Sequence, residues 1–140
     1  MAKFKFSLEK ILGIREFEEE QAKIELGKAI AETDRIKNNL KYIAQEKVKY
    51  SAEISKTIDL SYLTSVQNYI KGLDVQTEEL LVELTQAELI VDEKRNSLTE
   101  AMQKRKALDK LKEKKFEEFK RDEDRAEENV LDDLNLRQKR

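Results

Sequence analysis

The chain contains no proline and only three glycines among its 140 residues, so few of its residues are suited to tight turns. β-Sandwiches, barrels and doubly wound sheets need many such turns, and this chain cannot supply them. Charged residues make up 41% of the sequence and hydrophobic residues 39%, with 28 basic and 30 acidic side chains. That balance is typical of helices that bury one narrow stripe and expose the rest. We therefore predict an all-α protein.

Two series of mainly apolar positions repeat with alternating steps of four and three residues, which is the spacing of a coiled coil. The first series consists of Leu8, Leu12, Arg15, Glu19, Ala22, Leu26, Ala29, Thr33, Ile36, Leu40, Ile43, Lys47, Tyr50 and Ile54. The second consists of Val66, Ile70, Leu73, Thr77, Leu80, Leu84, Ala87, Val91, Lys94, Leu98, Ala101, Arg105 and Leu108. Each series needs a partner helix, and the other series supplies one.

The segment from Thr57 to Leu63 is the best candidate for a chain reversal, because Asp59 and Ser61 have the short oxygen-bearing side chains that cap a new helix. We predict helix 1 over about 7–57, a turn over about 58–62 and helix 2 over about 63–136, all within a single domain of residues 1–140. The expected fold is a long antiparallel two-helix coiled coil. Its C-terminal helix should overhang, because the seam becomes polar beyond Leu108.

The distribution of charge supports this hairpin. A reversal near residue 60 places position i opposite about position 120 − i, so the acidic cluster of residues 16–25 meets the basic stretch of residues 94–106. Each exposed ion pair contributes only about 0–1 kcal/mol, so these charges select the register more than they stabilise it. Residues 57–93 carry one basic and eight acidic side chains, whereas residues 94–121 carry 11 and five.

Histidine and cysteine are both absent, which removes the usual general base, the thiol nucleophile and the two commonest zinc ligands. The isolated glycines form no phosphate-binding loop, and carboxylates on a solvated helix keep ordinary pKa values. We therefore expect no enzyme, no cofactor, no metal and no small-molecule substrate. Nucleic-acid binding is disfavoured because five acidic residues interrupt the basic stretch. The chain lacks a membrane-spanning run and a secretion signal, so we expect a soluble intracellular protein.

Aromatic residues are concentrated at three places: near the start, around the turn and at the overhang. They are Phe4, Phe6 and Phe17; Tyr42, Tyr50, Tyr62 and Tyr69; and Phe116 and Phe119. Amphipathic rings are good anchors for another protein. We therefore predict two contact regions, one at each end of the helical hairpin. The alternative that Tyr50 and Tyr69 only fill the seam stays open.

Four segments resemble the FliJ family, the cytoplasmic components of the bacterial flagellar type III secretion system. They are FKFSLEKILGIRE at residues 4–16, QNYIKGL at 67–73, RNSLTEA with KRKALDKLKE over 95–113, and EENVLDD at 127–133. Asp133 stands where the family usually has Glu. The resemblance covers nearly the whole chain.

The resemblance implies a stalk-like coiled coil that binds the hexameric export ATPase, promotes its assembly or activity, and links it to the cytoplasmic domain of the export gate and to export chaperones. It further implies a location at the cytoplasmic face of the inner membrane, at the flagellar base, peripheral to the membrane through these partners. The implied gate-binding residues are Ile43, Tyr50, Tyr69 and Leu73. The implied ATPase-binding residues are Phe4, Phe6, Leu8, Leu12, Phe116, Phe119 and Leu131. A structural scaffold or dimerising spacer is the main alternative; a prefoldin-like hairpin or a nucleic-acid-binding arm is less favoured.

Overall fold

The computed structural model describes residues 3–138, and within them the chain forms two α-helices and no strand. Helix α1 spans Glu9–Ile54 and helix α2 spans Leu60–Gln138. The two helices pack against each other as a hairpin, which confirms the predicted antiparallel two-helix fold. No helix in the described part of the chain is both long and apolar enough to cross a membrane.

The break between the helices covers residues 55–59, a few residues before the predicted turn at about 58–62. Asp59 is the N-cap of α2: its Oδ1 accepts a hydrogen bond from the backbone N–H of Ser61 at 3.0 Å. The Asp59 carbonyl also accepts a bond from the Leu63 N–H at 3.0 Å. Helix α2 begins at Leu60, before the predicted start at about residue 63, because Asp59 and not Ser61 caps it.

Backbone proximity divides the described chain into two units, one formed by residues 3–21 and 98–138 and the other by residues 22–97. The first unit buries Phe6, Leu12 and Glu19, and the second buries Thr33, Ile36, Ile43, Val66, Leu73, Ala87 and Val91. Every residue in this set except Phe6 occupies a position of the predicted seams. The heptad assignment is therefore confirmed within each unit.

Ion pairs between the helices follow the predicted register to within four residues. In the first unit Lys112 Nζ lies 2.9 Å from a carboxylate oxygen of Glu9, and in the second Lys47 Nζ lies 2.7 Å from Asp74. Both pairs are substantially exposed, so each adds little to stability. They show that opposite charges meet across the seam.

Among residues 3–138, Glu19 is the charged residue that the fold buries. Its side chain is 9% exposed, and Arg105 donates to both of its carboxylate oxygens, at 2.6 and 3.3 Å. Arg105 also donates to Asp109 at 2.7 Å, one turn further along α2. The hydrogen bonds to Glu19 and then to Asp109 raise the pKa of Arg105 above its ordinary value, so the guanidinium stays charged.

The meeting of the acidic cluster with the basic stretch is thus seen at Glu19. Two other members of the cluster form ion pairs on their own helix, Glu18 with Arg15 and Glu25 with Lys28. In each pair the two residues are three apart on α1, a spacing that places them on the same face of the helix.

Candidate partner-binding surfaces

Two tyrosines near the turn pack against each other from facing helices. Tyr50 of α1 and Tyr69 of α2 have ring centroids 4.8 Å apart and an interplanar angle of 61°, an edge-to-face arrangement. Tyr50 is half-buried, whereas Tyr69 is 45% exposed. The pair therefore fills the seam with one ring and leaves an edge of the other exposed.

A cleft of about 380 Å³ lies beside this tyrosine pair. We call it the turn-proximal cleft; its lining consists of Asn39, Tyr42, Ile43, Tyr69, Leu73, Gln76, Glu79, Leu80 and Glu83. The side chains of Ile43 and Leu73 are buried, while Tyr42 and Tyr69 are exposed. The four predicted gate-binding residues thus lie close together: Ile43, Tyr69 and Leu73 line the cleft, and the Tyr50 ring packs edge-to-face against Tyr69.

Tyr69 in this cleft and Tyr62 nearer the turn have pKa values raised above the ordinary value of a tyrosine. Partial burial and then the nearby Glu46 carboxylate raise the pKa of Tyr69, whose hydroxyl lies 3.4 Å from Glu46. Nearer the turn, the Tyr62 hydroxyl donates to Glu53, and this hydrogen bond raises the pKa of Tyr62. A neutral hydroxyl on an apolar ring can combine apolar contact with a hydrogen bond to another protein.

A second aromatic group forms where the N-terminal segment packs on α2. The Phe4 ring lies 5.3 Å from Phe116 at an angle of 75°, and 5.5 Å from Phe119 at 51°. We call these three rings the phenylalanine cluster. The exposed ion pair between Glu9 and Lys112 joins the same two parts of the chain nearby. Phe116 is 48% exposed, so the cluster has an accessible apolar edge.

The remaining predicted ATPase-binding residues differ in accessibility. Phe6 and Leu12 are buried and Leu8 is half-buried, so in this conformation they support the surface more than they form it. Leu131 is exposed, but it lies 12 residues beyond Phe119, or about 18 Å along the helix. It is therefore not part of the phenylalanine cluster.

Beyond the cluster α2 continues alone, and residues 124–138 are all exposed. A shallow groove of about 660 Å³ runs along this overhang, lined by Phe119, Asp122, Glu123, Ala126, Glu127, Val130 and Leu131. Its apolar side chains alternate with carboxylates. Such a surface can bind an apolar, basic partner, but it offers no paired acid and base for chemistry.

Sequence reasoning identified the aromatic anchors but not the whole lining of the turn-proximal cleft. Gln76 and Glu79 line it although neither is apolar or part of the seam. Their positions in the sequence could have placed them beside Leu73. They follow it by three and six residues, and residues three apart share a helix face. Within residues 3–138, no group of three or more acidic side chains is placed to hold a metal ion.

Comparison with known proteins gives one match. A family model described as FliJ, the flagellar FliJ protein, matches residues 4–140, which include both aromatic surfaces. No curated protein and no solved structure matches the chain.

Proposed function

The chain belongs to the FliJ family of flagellar export components, and from this premise we propose that it acts as a stalk-like, non-catalytic part of the export apparatus. In this proposal it binds the hexameric export ATPase through the phenylalanine cluster and the overhang, and the export gate through the turn-proximal cleft. The observation that carries the proposal is the presence of two separate accessible aromatic surfaces in a chain that matches the family over residues 4–140.

Binding to the ATPase would work through coupling and not through chemistry. A helical pair with few large anchors and unevenly charged faces contacts successive subunits of a ring unequally, so it can favour one nucleotide state over another. The exposed edge of Phe116 and the apolar groove of the overhang supply such anchors. In this complex the chain would act as a single domain, and the overhang would extend its contact with the ATPase beyond the phenylalanine cluster.

The first experiment measures the hydrolysis rate of the export ATPase with and without this protein, after light scattering has given its mass in solution. Removing residues 122–140 should weaken ATPase binding or activation, and so should Phe116→Ala. Ile14→Ala is the matched control, because Ile14 is exposed but lies outside the phenylalanine cluster. If the truncated chain and the Phe116→Ala variant both activate the ATPase as well as the wild type does, the proposed ATPase contact is wrong. A dimer without any effect on hydrolysis would favour the scaffold alternative.

Gate binding is tested at the turn-proximal cleft. We expect Tyr69→Ala combined with Leu73→Ala to lose binding to the cytoplasmic domain of the gate while the chain stays helical. Because Leu73 is buried, the surface variant Tyr42→Ala with Tyr69→Ala separates binding from folding. Val48→Ala, at an exposed position outside the cleft, is the control. Wild-type affinity in a folded Tyr42→Ala, Tyr69→Ala protein would remove this site.

Contact with export chaperones is proposed on family membership alone, and no surface is assigned to it. The proposed location is the cytoplasmic face of the inner membrane at the flagellar base. Attachment there would occur through protein partners.

A further inference from the structure

Three aliphatic side chains are exposed on the outer face of α2. Val75, Val82 and Leu89 are each more than half exposed, and they follow one another at intervals of seven residues. Leu73 and Ala87, two residues before Val75 and Leu89, are buried in the seam. The three therefore lie on the side of α2 that faces away from α1. We call them the outer stripe.

The outer heptad position of a coiled coil is normally polar, because it is the position most exposed to water. The three aliphatic residues at this position form a row of apolar side chains about 10.5 Å apart, on the face of α2 opposite the seam. Leu81 and Ile90, which are about half exposed, lie about 100° around the helix from the outer stripe, one on each side. Within residues 3–138 there is no third helix to cover it.

Carboxylates border the outer stripe on both sides. Glu78 and Glu79 lie between Val75 and Val82, and neither forms an ion pair or side-chain hydrogen bond in the described structure. Asp92 and Glu93 follow Leu89 at spacings of three and four. The segment as a whole, residues 57–93, has eight acidic side chains and one basic side chain. A ligand for this face should therefore be apolar in the middle and positively charged at its edges.

We propose that the outer stripe binds an amphipathic helix of a partner protein whose apolar residues are flanked by lysine or arginine. A second copy packed stripe against stripe fits less well, because it would place two surfaces with excess negative charge together. Three aliphatic side chains also cover far less than the roughly 800 Å² per partner that a stable dimer needs. A small contact assisted by opposite charge forms quickly, dissociates readily and weakens with salt.

The three aliphatic residues of this surface are distinct from those already assigned, and only Glu79 at its border also lines the turn-proximal cleft. Its three residues do not line the turn-proximal cleft and lie outside the unit that holds the phenylalanine cluster. The outer stripe can therefore be occupied or empty whether or not the proposed ATPase and gate contacts exist.

The test measures fluorescence anisotropy of a labelled synthetic helix of about 21 residues, three heptads, with leucine along one face and lysine beside it. The full chain should bind it, and should not bind the same helix with glutamate in place of lysine. Val82→Glu with Leu89→Glu should weaken binding about tenfold or more, since it places charge in the apolar contact. Val48→Glu, at an exposed aliphatic position on α1, should leave binding unchanged.

The double variant separates apolar contact from charge attraction. It adds two negative charges, which would strengthen binding of the lysine helix if attraction alone held it, and it removes two apolar side chains, which would weaken binding if apolar contact is needed. Equal or tighter binding of the lysine helix by Val82→Glu, Leu89→Glu would overturn the proposal. A second variant, Glu78→Lys with Glu93→Lys, keeps the outer stripe and avoids the turn-proximal cleft; it should shift preference toward the glutamate helix, and an unchanged preference would also overturn the proposal. If sedimentation shows a wild-type dimer that Val82→Glu, Leu89→Glu dissociates, the outer stripe belongs to a second copy and the proposal fails.

Discussion

Ile36→Ala should be the most informative test of the fold, because Ile36 is the largest fully buried side chain and is only 2% exposed. Truncating a buried isoleucine to alanine costs about 2–5 kcal/mol, since apolar burial is lost and a cavity remains. Domains of this size are stable by about 5–15 kcal/mol, so one residue would account for a large share. With a urea dependence of about 2 kcal/mol per molar, a loss of about 3 kcal/mol lowers the unfolding midpoint by about 1.5 M.

The matched control is Ile24→Ala, on the same helix and in the same unit but 43% exposed. Alanine has the higher helix propensity by a few tenths of a kcal/mol, so this change should stay within about 1 kcal/mol of wild type. Urea unfolding followed by helical circular dichroism measures both variants. Equal losses of stability at the two positions would refute the heptad seam as the source of the hydrophobic core.

Three further predictions concern stability and protonation. Gly27→Ala should stabilise the chain by about 0.5–1 kcal/mol in the same urea assay, because an added Cβ meets nothing within 4 Å and glycine weakens a helix interior; destabilisation would reveal a contact there. Glu19→Gln should lower the thermal midpoint by more than Glu18→Gln, since only Glu19 is a buried carboxylate facing a guanidinium across the seam; equal midpoints would contradict this. The raised pKa of Tyr62 favours the neutral phenol in the folded chain, so its contribution to stability is present below its ordinary pKa of 10.0 and is lost as pH rises above it. Alkaline unfolding should therefore be less steep in Tyr62→Phe, and an identical pH dependence would count against the hydrogen bond.

The seam could be predicted from sequence because coiled-coil packing depends on a short repeat that the chain itself displays. Steps of four and three placed Ile36, Ile43 and Leu73 on the buried face, and the structure buries all three. The register was predictable for a similar reason, since one turn fixes the pairing of all positions that follow it. The position of the turn was less certain, because Asp59 and Ser61 are both good capping residues and only the structure shows that Asp59 is used.

Side-chain accessibility at the candidate surfaces could not be predicted in the same way. Tyr50 and Tyr69 both have amphipathic rings beside the seam, yet one is half-buried and the other remains largely exposed. Glu19 illustrates the opposite case, because a carboxylate at a seam position reads as a defect until the position of Arg105 is known. In both cases the outcome depends on how two distant segments meet, which a local repeat does not specify.

A two-helix hairpin has one seam, and this limits how binding and stability can be separated. Ile43 and Leu73 lie in the seam and also line the turn-proximal cleft, so any substitution there changes the fold and the surface together. Tyr42 contacts the same cleft from an exposed position, and Val82 lies on a face that the seam does not use. Substitutions at these exposed residues can alter partner binding while the helices remain paired. Loss of binding at Tyr42 or Val82 in a chain of unchanged stability would therefore identify a surface that serves a partner and not the fold.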